Sequence, residues 1–172
     1  MATDRSVIID VETTGFSLDR GDRVIEVGAV AFENDVEVSE FSSLIAADRK
    51  IPRQAQMVHG ISDEMLIGQP TPDMVFTRFR DFIAGAIIVG HNVRFDVGFV
   101  RHELGRLGFS FNNRIICTLE MSRRRFPHLP NHRLETVALY LLGELPPDCR
   151  LHRALGDARL TARVWMAMKN RG

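Results

Sequence analysis

SVIIDVETTG, residues 6–15, carries the clearest structural signal in the chain. Residues 6–11 form a short, β-branched apolar run that Thr-Thr-Gly soon interrupts, a pattern typical of a buried strand ending in a carboxylate. Because side chains on a strand alternate between its faces, Asp10 and Glu12 are expected to project from the same side. Adjacent carboxylates repel unless a cation lies between them, and Mg²⁺ and Mn²⁺ prefer such oxygen ligands. The pair is compatible with a metal site, but a surface D-x-E at a strand end is common, so the pair alone does not decide between them.

Two further apolar runs predict a second strand over residues 24–32 and a third over residues 36–45. The link between them, Glu-Asn-Asp at residues 33–35, is short and rich in turn-forming residues, which favours an antiparallel hairpin. The chain is therefore expected to open with three consecutive strands.

The rest of the chain alternates helical and extended patterns. Apolar residues recur at helical spacing over residues 53–58, 62–66, 72–84, 95–107, 134–142 and 154–168, and short strands are predicted over 86–89 and 114–117. A hairpin followed by alternating helices and strands predicts an α/β fold, with a mixed sheet whose parallel part is formed by the crossovers. No internal repeat or linker is found, so residues 1–172 are interpreted as a single domain.

Length and composition fit a globular protein of ordinary type. Of 172 residues, 45% are hydrophobic and 26% are charged, near the averages for globular domains. No apolar run reaches the roughly 20 residues of a membrane span, and the N-terminal residues do not resemble an export signal, so a cytoplasmic location is expected. Cys117 and Cys149 lack CxxC spacing and are interpreted as buried thiols.

The formal net charge is zero, but the two signs are unevenly distributed along the chain. Residues 1–75 contain 6 basic and 14 acidic side chains, whereas residues 76–172 contain 16 basic and 8 acidic ones. Twenty of the basic residues are arginines, which suit bidentate phosphate contacts. The pattern is compatible with nucleic-acid binding; an arginine-rich genome and mutual neutralisation of the two halves explain it equally well.

Two more carboxylates follow predicted strand or helix boundaries. Asp96 lies just inside a helix that follows a short strand and the turn at residues 90–92, where the ends of parallel strands share one rim. Asp157 lies in the last helix and could present its carboxylate to the same rim. The alternative is an Arg153–Asp157 ion pair at i,i+4 on a solvated face.

His152 precedes Asp157 by five residues, which on an ideal helix would separate the two side chains by about 140°. If both serve one site, the helix must begin after His152, leaving the imidazole on the approach segment. A histidine there is suited to act as a general base, since its ordinary pKa of about 6.5 lets it accept a proton near neutral pH. The alternative is a polar surface residue.

Four motifs in order resemble the DEDD 3′-to-5′ exonucleases that carry a catalytic histidine, the DEDDh family. They are IDVETTG at residues 9–15, VHGI at 58–61, HNVRFD at 91–96 and HRALGDA at 152–158, and the match covers nearly the whole chain. Within that family the chain is similar to the proofreading epsilon subunit of bacterial DNA polymerase III. LPNH at residues 129–132 also resembles the group, with His132 interpreted as structural.

The resemblance implies a ribonuclease-H-like fold and a two-metal centre of Mg²⁺ or Mn²⁺. Asp10, Glu12 and Asp157 would be direct ligands, and Asp96 would complete the site directly or through water. His152 would deprotonate the attacking water, and hydrolysis at DNA 3′ ends would release nucleoside 5′-monophosphates. These five residues are the predicted catalytic set.

The resemblance also implies a pocket for the terminal nucleotide. Phe16 or Phe95 would lie against the bases, a mode of single-strand binding that tolerates any sequence. The expected substrate-binding residues are Glu12, Thr13, Thr14, Gly15, Phe16, Gln54, His59, Asn92, Phe95 and Asp157. Gln54 departs from the family, since the epsilon subunit has an acidic contact there. The chain also stops at Gly172 without the polymerase-tethering tail of that subunit, so a stand-alone nuclease or one domain of a longer protein is expected.

Two other functions remain open from the sequence. The motifs perform the chemistry and do not distinguish the sugar, so an RNA 3′ exonuclease of the same family is the first alternative. The second is a binding module or polymerase accessory that keeps the fold without catalysis, although every predicted catalytic position carries a competent residue. A DNA polymerase subunit is the expected protein partner, and no membrane partner is expected.

Overall fold

The computed structural model describes residues 4–146 and 151–170. Its strands are β1 (Arg5–Thr13), β2 (Val24–Glu33), β3 (Val36–Leu44), β4 (Ile87–Gly90) and β5 (Ile115–Cys117). Its α-helices are α1 (Arg53–His59), α2 (Asp63–Leu66), α3 (Pro72–Phe82), α4 (Arg94–Arg106), α5 (Thr118–Arg125), α6 (Leu134–Leu142) and α7 (Ala154–Asn170), with a short 3-10 turn at Leu18–Arg20. None of the helices in this part of the chain has the length and hydrophobicity needed to span a bilayer.

The five strands form one mixed sheet in the order β3-β2-β1-β4-β5. β1 pairs antiparallel with β2, and β2 pairs antiparallel with β3. β4 runs parallel to both β1 and β5, because helices connect these strands by crossovers. The predicted ribonuclease-H-like α/β fold is therefore confirmed, with its first three strands antiparallel and the remainder parallel.

The two faces of the sheet are covered by different helices, and β1 contributes to both. Val7, Ile9 and its other odd-numbered apolar residues pack against α3 and α4 in the largest buried cluster. Ile8 on the opposite face packs against α7. Since residues two apart share a face, Asp10 and Glu12 extend the row of Ile8 toward the carboxyl end of β1. The face covered by α7 is therefore the one that bears the two carboxylates.

All the predicted elements are present, with ends that agree to within two residues, and two differences have a clear physical cause. β1 continues two residues past the apolar run, because Glu12 and Thr13 still pair with β2 through their backbones. Helix α5 was not predicted. Only Thr118 and Ser122 of its eight residues are buried, so the helix has no apolar face for the sequence pattern to reveal.

Cys117 lies at the end of β5 and carries a free, half-buried thiol, more exposed than the buried thiol that was predicted. Cys149 lies outside the described residues. So does Pro147, which with Pro146 separates the predicted helices at residues 134–142 and 154–168 in the sequence.

Candidate active site

Three carboxylates converge where α7 crosses the carboxyl end of β1. One oxygen atom from each of Asp10, Glu12 and Asp157 lies within 4.8 Å of the other two. Strand alternation brings the first two together, and the first turn of α7 adds the third. The group offers only carboxylate oxygens, the donors suited to Mg²⁺ or Mn²⁺, so these residues fit the divalent metal that the resemblance implies.

Asp96 approaches the same carboxylates from the first turn of α4. Its side chain is only 4% exposed, and its Oδ1 accepts the backbone N–H of Val11 at 3.1 Å. That N–H is available because β4 ends at Gly90 and does not pair with β1 beyond Ile8. The edge of β1 that β4 leaves unpaired thus holds the carboxylate of Asp96, the fourth predicted one, beside the other three.

His152 lies outside α7, which begins at Ala154. Its backbone has a left-handed conformation with φ of 61°, unusual for a residue other than glycine. The His152 N–H donates to Asp157 Oδ2 at 2.9 Å, while its side chain is exposed. The helix therefore starts after His152, which is the condition under which His152 and Asp157 could serve one site. The two residues lie next to each other.

Glu26 on β2 is a residue of this region that the sequence reasoning missed. It is 3% exposed and lies directly opposite Glu12 in the strand pairing. Its carboxylate accepts hydrogen bonds from Arg153, with the shortest distance 2.6 Å. Arg153 thus pairs with Glu26 rather than with Asp157, the alternative raised above. The only signal in the sequence was an acidic residue inside the apolar run of β2.

Burial and mutual repulsion raise the pKa of all four clustered carboxyl groups. Burial is the largest cause in each case, and neighbouring carboxylates add to it. The pKa of Glu12 rises to about 8, that of Asp96 to about 7 and that of Asp157 to about 6, and that of Asp10 rises well above its ordinary value. Without a cation, the cluster is therefore costly to ionise.

This electrostatic arrangement predicts a pH-dependent stabilisation by metal. A carboxyl group whose pKa is raised on folding contributes stability below its unfolded pKa and loses that contribution as pH rises through its folded pKa. The metal-free protein should therefore lose stability between about pH 5 and pH 8. A divalent cation competes with these protons, so Mg²⁺ should raise Tm by more at about pH 8 than at about pH 5.5.

Differential scanning calorimetry with Mg²⁺ or chelator at the two pH values measures this difference. A change of about 1 kcal/mol corresponds to roughly 2–4 °C in Tm for a domain of this size. Glu40→Gln is the control, because Glu40 lies on β3 in an ion pair with Arg159. It should retain the pH-dependent effect of Mg²⁺. Equal stabilisation by Mg²⁺ at both pH values would contradict the electrostatic account.

A cavity of about 210 Å³ opens beside the carboxylates. Its lining includes Val11, Glu12, Thr13, Gly15, Phe16, Gln54, Ala55, Val58, His59 and Phe95. Seven of the ten predicted substrate-binding residues are in this set, and Asp157 lies in the carboxylate cluster. The Phe16 ring is 86% exposed and lies 6.0 Å from the Phe95 ring between centroids. An exposed Phe16 ring that packs against the half-buried Phe95 beside an acidic cluster is suited to contact a nucleobase.

Thr14 and Asn92 do not line this cavity. Thr14 is fully buried, and its hydroxyl donates to Asp22 at 3.2 Å and accepts the Arg23 N–H at 3.1 Å. It shapes the turn that carries its neighbours. Asn92 has a left-handed backbone, with φ of 66°, in the exposed turn between β4 and α4.

His59 brings a buried polar atom to the cavity. Its side chain is 5% exposed, and Nδ1 accepts the Ile61 N–H at 3.0 Å. Burial lowers the pKa of the ring, and a neutral ring that accepts at Nδ1 carries its proton on Nε2. Nε2 makes no hydrogen bond of good geometry within the described residues, although the Thr13 backbone lies close enough to favour the protonated ring. A buried donor without a partner is costly, so a ligand oxygen in the cavity would satisfy it.

Comparison with known protein families gives a match over most of the chain. The family model described as exonuclease (RNase_T) matches residues 7–165. The chain belongs to this exonuclease family. Membership of this family supports a nuclease activity. The carboxylate cluster and its cavity lie within the matched residues.

The curated relatives that this chain matches differ greatly in length, and the chain spans only a small part of several of them. The DNA polymerase III subunit epsilon of Aquifex aeolicus is 35% identical over 161 residues, which cover 93% of this chain and 78% of that protein. The PolC-type DNA polymerase III of Clostridium perfringens is also 35% identical over 161 residues, but the chain spans only 11% of its length. The 3′-5′ exonuclease DinG of Bacillus subtilis is 34% identical, and the chain spans 18% of it.

Solved exonuclease structures share the fold. Exonuclease X in complex with 5′ overhanging duplex DNA superimposes with a TM-score of 0.76 at 26% identity, covering 96% of this chain and 92% of that one. Escherichia coli Exonuclease I in a complex with single-stranded DNA gives a TM-score of 0.84 at 19% identity, covering 99% of this chain and 41% of that one. The second likeness concerns the fold alone.

Proposed function

We propose that this exonuclease domain hydrolyses phosphodiester bonds at DNA 3′ ends, depends on a divalent metal and releases nucleoside 5′-monophosphates. Proofreading or repair is the proposed setting. The observation that carries the proposal is the convergence of oxygens from Asp10, Glu12 and Asp157 within 4.8 Å, next to a cavity where the exposed Phe16 ring packs against Phe95. An acidic cluster suits a metal, and the adjoining cavity suits the terminal nucleotide.

Asp10, Glu12 and Asp157 are the residues that would hold the metal, with Asp96 beside them as a direct or water-mediated ligand. When bound, two Mg²⁺ or Mn²⁺ ions would supply the positive charge that stabilises a phosphodiester during hydrolysis. The raised pKa of each of these carboxyl groups supports this assignment, because a bound cation would offset both the burial and the mutual repulsion that raise it.

His152 is the proposed general base. Its exposed side chain is free to reach a water molecule, while its backbone is held by the 2.9 Å hydrogen bond to Asp157. A neutral imidazole would take the proton of the attacking water. The hydrogen bond that holds His152 beside Asp157 at the carboxylate cluster supports this role over that of a polar surface residue.

The cavity beside the cluster is the proposed pocket for the 3′-terminal nucleotide. Phe16 and Phe95 would contact the base, and the unpaired Nε2–H of His59 would donate to a sugar or phosphate oxygen. Gln54 lines the same cavity and can donate through its amide where the epsilon subunit has an acidic group.

DNA is the favoured substrate. Exonuclease X, at 26% identity, was solved with DNA, and the relatives from Aquifex and Clostridium carry the name DNA polymerase III. The name of the epsilon subunit also supports a polymerase as the protein partner. Nothing in the cavity favours RNA, and the complete set of carboxylates argues against a binding module without catalysis.

Metal-dependent shortening of DNA from its 3′ end is the expected activity. Purified protein is incubated with a 5′-labelled single-stranded oligodeoxynucleotide and with RNA of the same sequence, each with Mg²⁺, Mn²⁺ or chelator. A ladder of DNA products that chelator abolishes would support the proposal, and a higher rate on RNA would reverse the substrate assignment. Asp10→Asn, prepared in parallel, controls for contaminating nucleases; shortening that persists in this variant would not come from this site.

A further inference from the structure

The turn ahead of α7 is bound to β2 by one buried carboxylate. Glu26 accepts from Arg153 through Nη2 at 2.6 Å and through Nε at 3.1 Å. It also accepts the Ala154 backbone N–H at 3.0 Å. A buried carboxylate with bonds to both a guanidinium and a main-chain amide holds its partners in one geometry. Glu26 therefore holds the chain at the two residues that directly follow His152.

Gly28 lets the same segment come close to the strand. It shares a face of β2 with Glu26 and pairs with Asp10 across the strands. A Cβ atom at this position would lie 2.2–2.5 Å from backbone atoms of Ala154 and Leu155. Only glycine permits this contact, which brings the start of α7 directly onto the sheet. Glu26 and Gly28 together form a seat for the start of the helix.

His152 and Asp157, the two proposed catalytic residues near the C-terminal helix, depend on this seat for their positions. His152 lies one residue before Arg153, and Asp157 lies in the first turn of α7. The hydrogen bond between the His152 N–H and Asp157 ties the two together. A shift of the helix start would therefore move the base and a metal ligand in concert, away from Asp10 and Glu12 on β1.

We propose that Glu26 is a positioning residue, which sets the place of His152 and Asp157 for the reaction through Arg153 and the Ala154 amide. The proposal rests on the function proposed above. Glu26 itself is not required to touch the substrate. Its effect is expected in turnover, because displacement of catalytic groups by a fraction of an ångström impairs the reaction more than binding.

A second ion pair between the sheet and α7 offers a matched control. Glu40 on β3 accepts from Arg159 on α7 through two hydrogen bonds of 2.6 Å, six residues beyond Arg153. It has the same bidentate chemistry but lies away from the carboxylate cluster. If Glu26 served only to attach the helix, Glu26→Ala and Glu40→Ala would have similar effects on turnover.

The test compares Glu26→Ala, Glu26→Gln, Glu40→Ala and wild-type protein on 5′-labelled single-stranded DNA at saturating metal. We expect Glu26→Ala to lower kcat by roughly 10–100-fold while KM changes by less than about threefold. Glu26→Gln should recover part of the loss, since its amide oxygen still accepts one of the hydrogen bonds. Glu40→Ala should retain the wild-type kcat.

Two readouts independent of turnover complete the test. Hydrogen exchange of the peptide around Ala154 should be faster in Glu26→Ala than in Glu40→Ala, because the amide loses its acceptor. Calorimetric titration should show weaker binding of Mn²⁺, since Asp157 moves with the helix. If Glu26→Ala does not fold, Glu26→Gln and Arg153→Lys give the same comparison.

A wild-type kcat in folded Glu26→Ala would overturn the positioning role, and so would an increase in KM alone, which indicates substrate binding. If Glu26→Ala does not fold, a wild-type kcat in both Glu26→Gln and Arg153→Lys would also overturn the positioning role of Glu26. Absence of DNA shortening by the wild-type protein with either metal would instead contradict the proposed function. The two failures are therefore distinguishable.

Discussion

Asp10→Asn is expected to lower kcat by about 10³-fold or more. Asp10 lies at the centre of the cluster, where its oxygen meets those of Glu12 and Asp157. Removing its charge removes a metal ligand. Loss of several kcal/mol of charge stabilisation in the transition state corresponds to about three powers of ten in rate.

The same substitution should stabilise the metal-free protein at about pH 8. Burial and the charges of Asp96, Asp157 and Glu12 raise the pKa of Asp10, so its ionised form is costly in the absence of a cation. The neutral amide has the same shape without that cost. Calorimetry with chelator should therefore give a higher Tm than wild type, while Mg²⁺ should stabilise the variant less.

Opposite changes in activity and stability distinguish this account from simple misfolding. A variant that is inactive because it is unfolded would have a lower Tm. If Asp10→Asn retained a kcat within about tenfold of wild type, the proposed metal centre would be wrong. Glu37→Gln serves as the control for a general charge effect, since Glu37 is exposed on the edge strand β3 and should change neither quantity.

His152→Ala is expected to lower kcat by about 10²–10⁴-fold, the range typical of a lost general base. In contrast to Asp10→Asn, the His152→Ala variant should still bind metal, because the group of converging ligand atoms comes from Asp10, Glu12 and Asp157 and does not include His152. The hydrogen bond to Asp157 comes from the backbone N–H and is retained by alanine. Rates are measured on single-stranded DNA, and Mn²⁺ binding by calorimetric titration.

His128→Ala is the matched control, because His128 is also exposed and lies in a loop, where its ring contacts Tyr140. It should keep wild-type turnover. Near-wild-type kcat in His152→Ala would remove His152 from the mechanism and leave the metal proposal intact. Loss of Mn²⁺ binding in His152→Ala would instead show that the histidine holds the metal site together.

Several features of the site were predictable because they depend on local geometry. Alternation along β1 places Asp10 and Glu12 on one side whatever the rest of the chain does. The angular separation on a helix required α7 to begin after His152, and it begins at Ala154. The hairpin and the crossovers predicted a mixed sheet with an antiparallel opening and a parallel remainder, whereas the order of the strands came from the structure.

Other features depend on contacts between distant parts of the chain. Glu26 appeared only as an acidic residue in an apolar run, and its partner Arg153 lies 127 residues away. Thr14 belongs to the same motif as the cavity residues, yet its hydroxyl bonds to Asp22 behind them. Helix α5 is polar on nearly every side, so the apolar period that identifies helices was absent.

The sequence alone determined the family and the candidate carboxylates and histidine, because short motifs carry them. It also determined the α/β class, because local periodicity reflects the nearby backbone. The tertiary structure established which groups meet. Asp157 reaches Asp10 because α7 crosses β1, where Gly28 leaves room for the start of the helix and Glu26 accepts hydrogen bonds from Arg153 and the Ala154 amide. Such convergence arises from packing between elements far apart in the chain, and periodicity within one element cannot encode it.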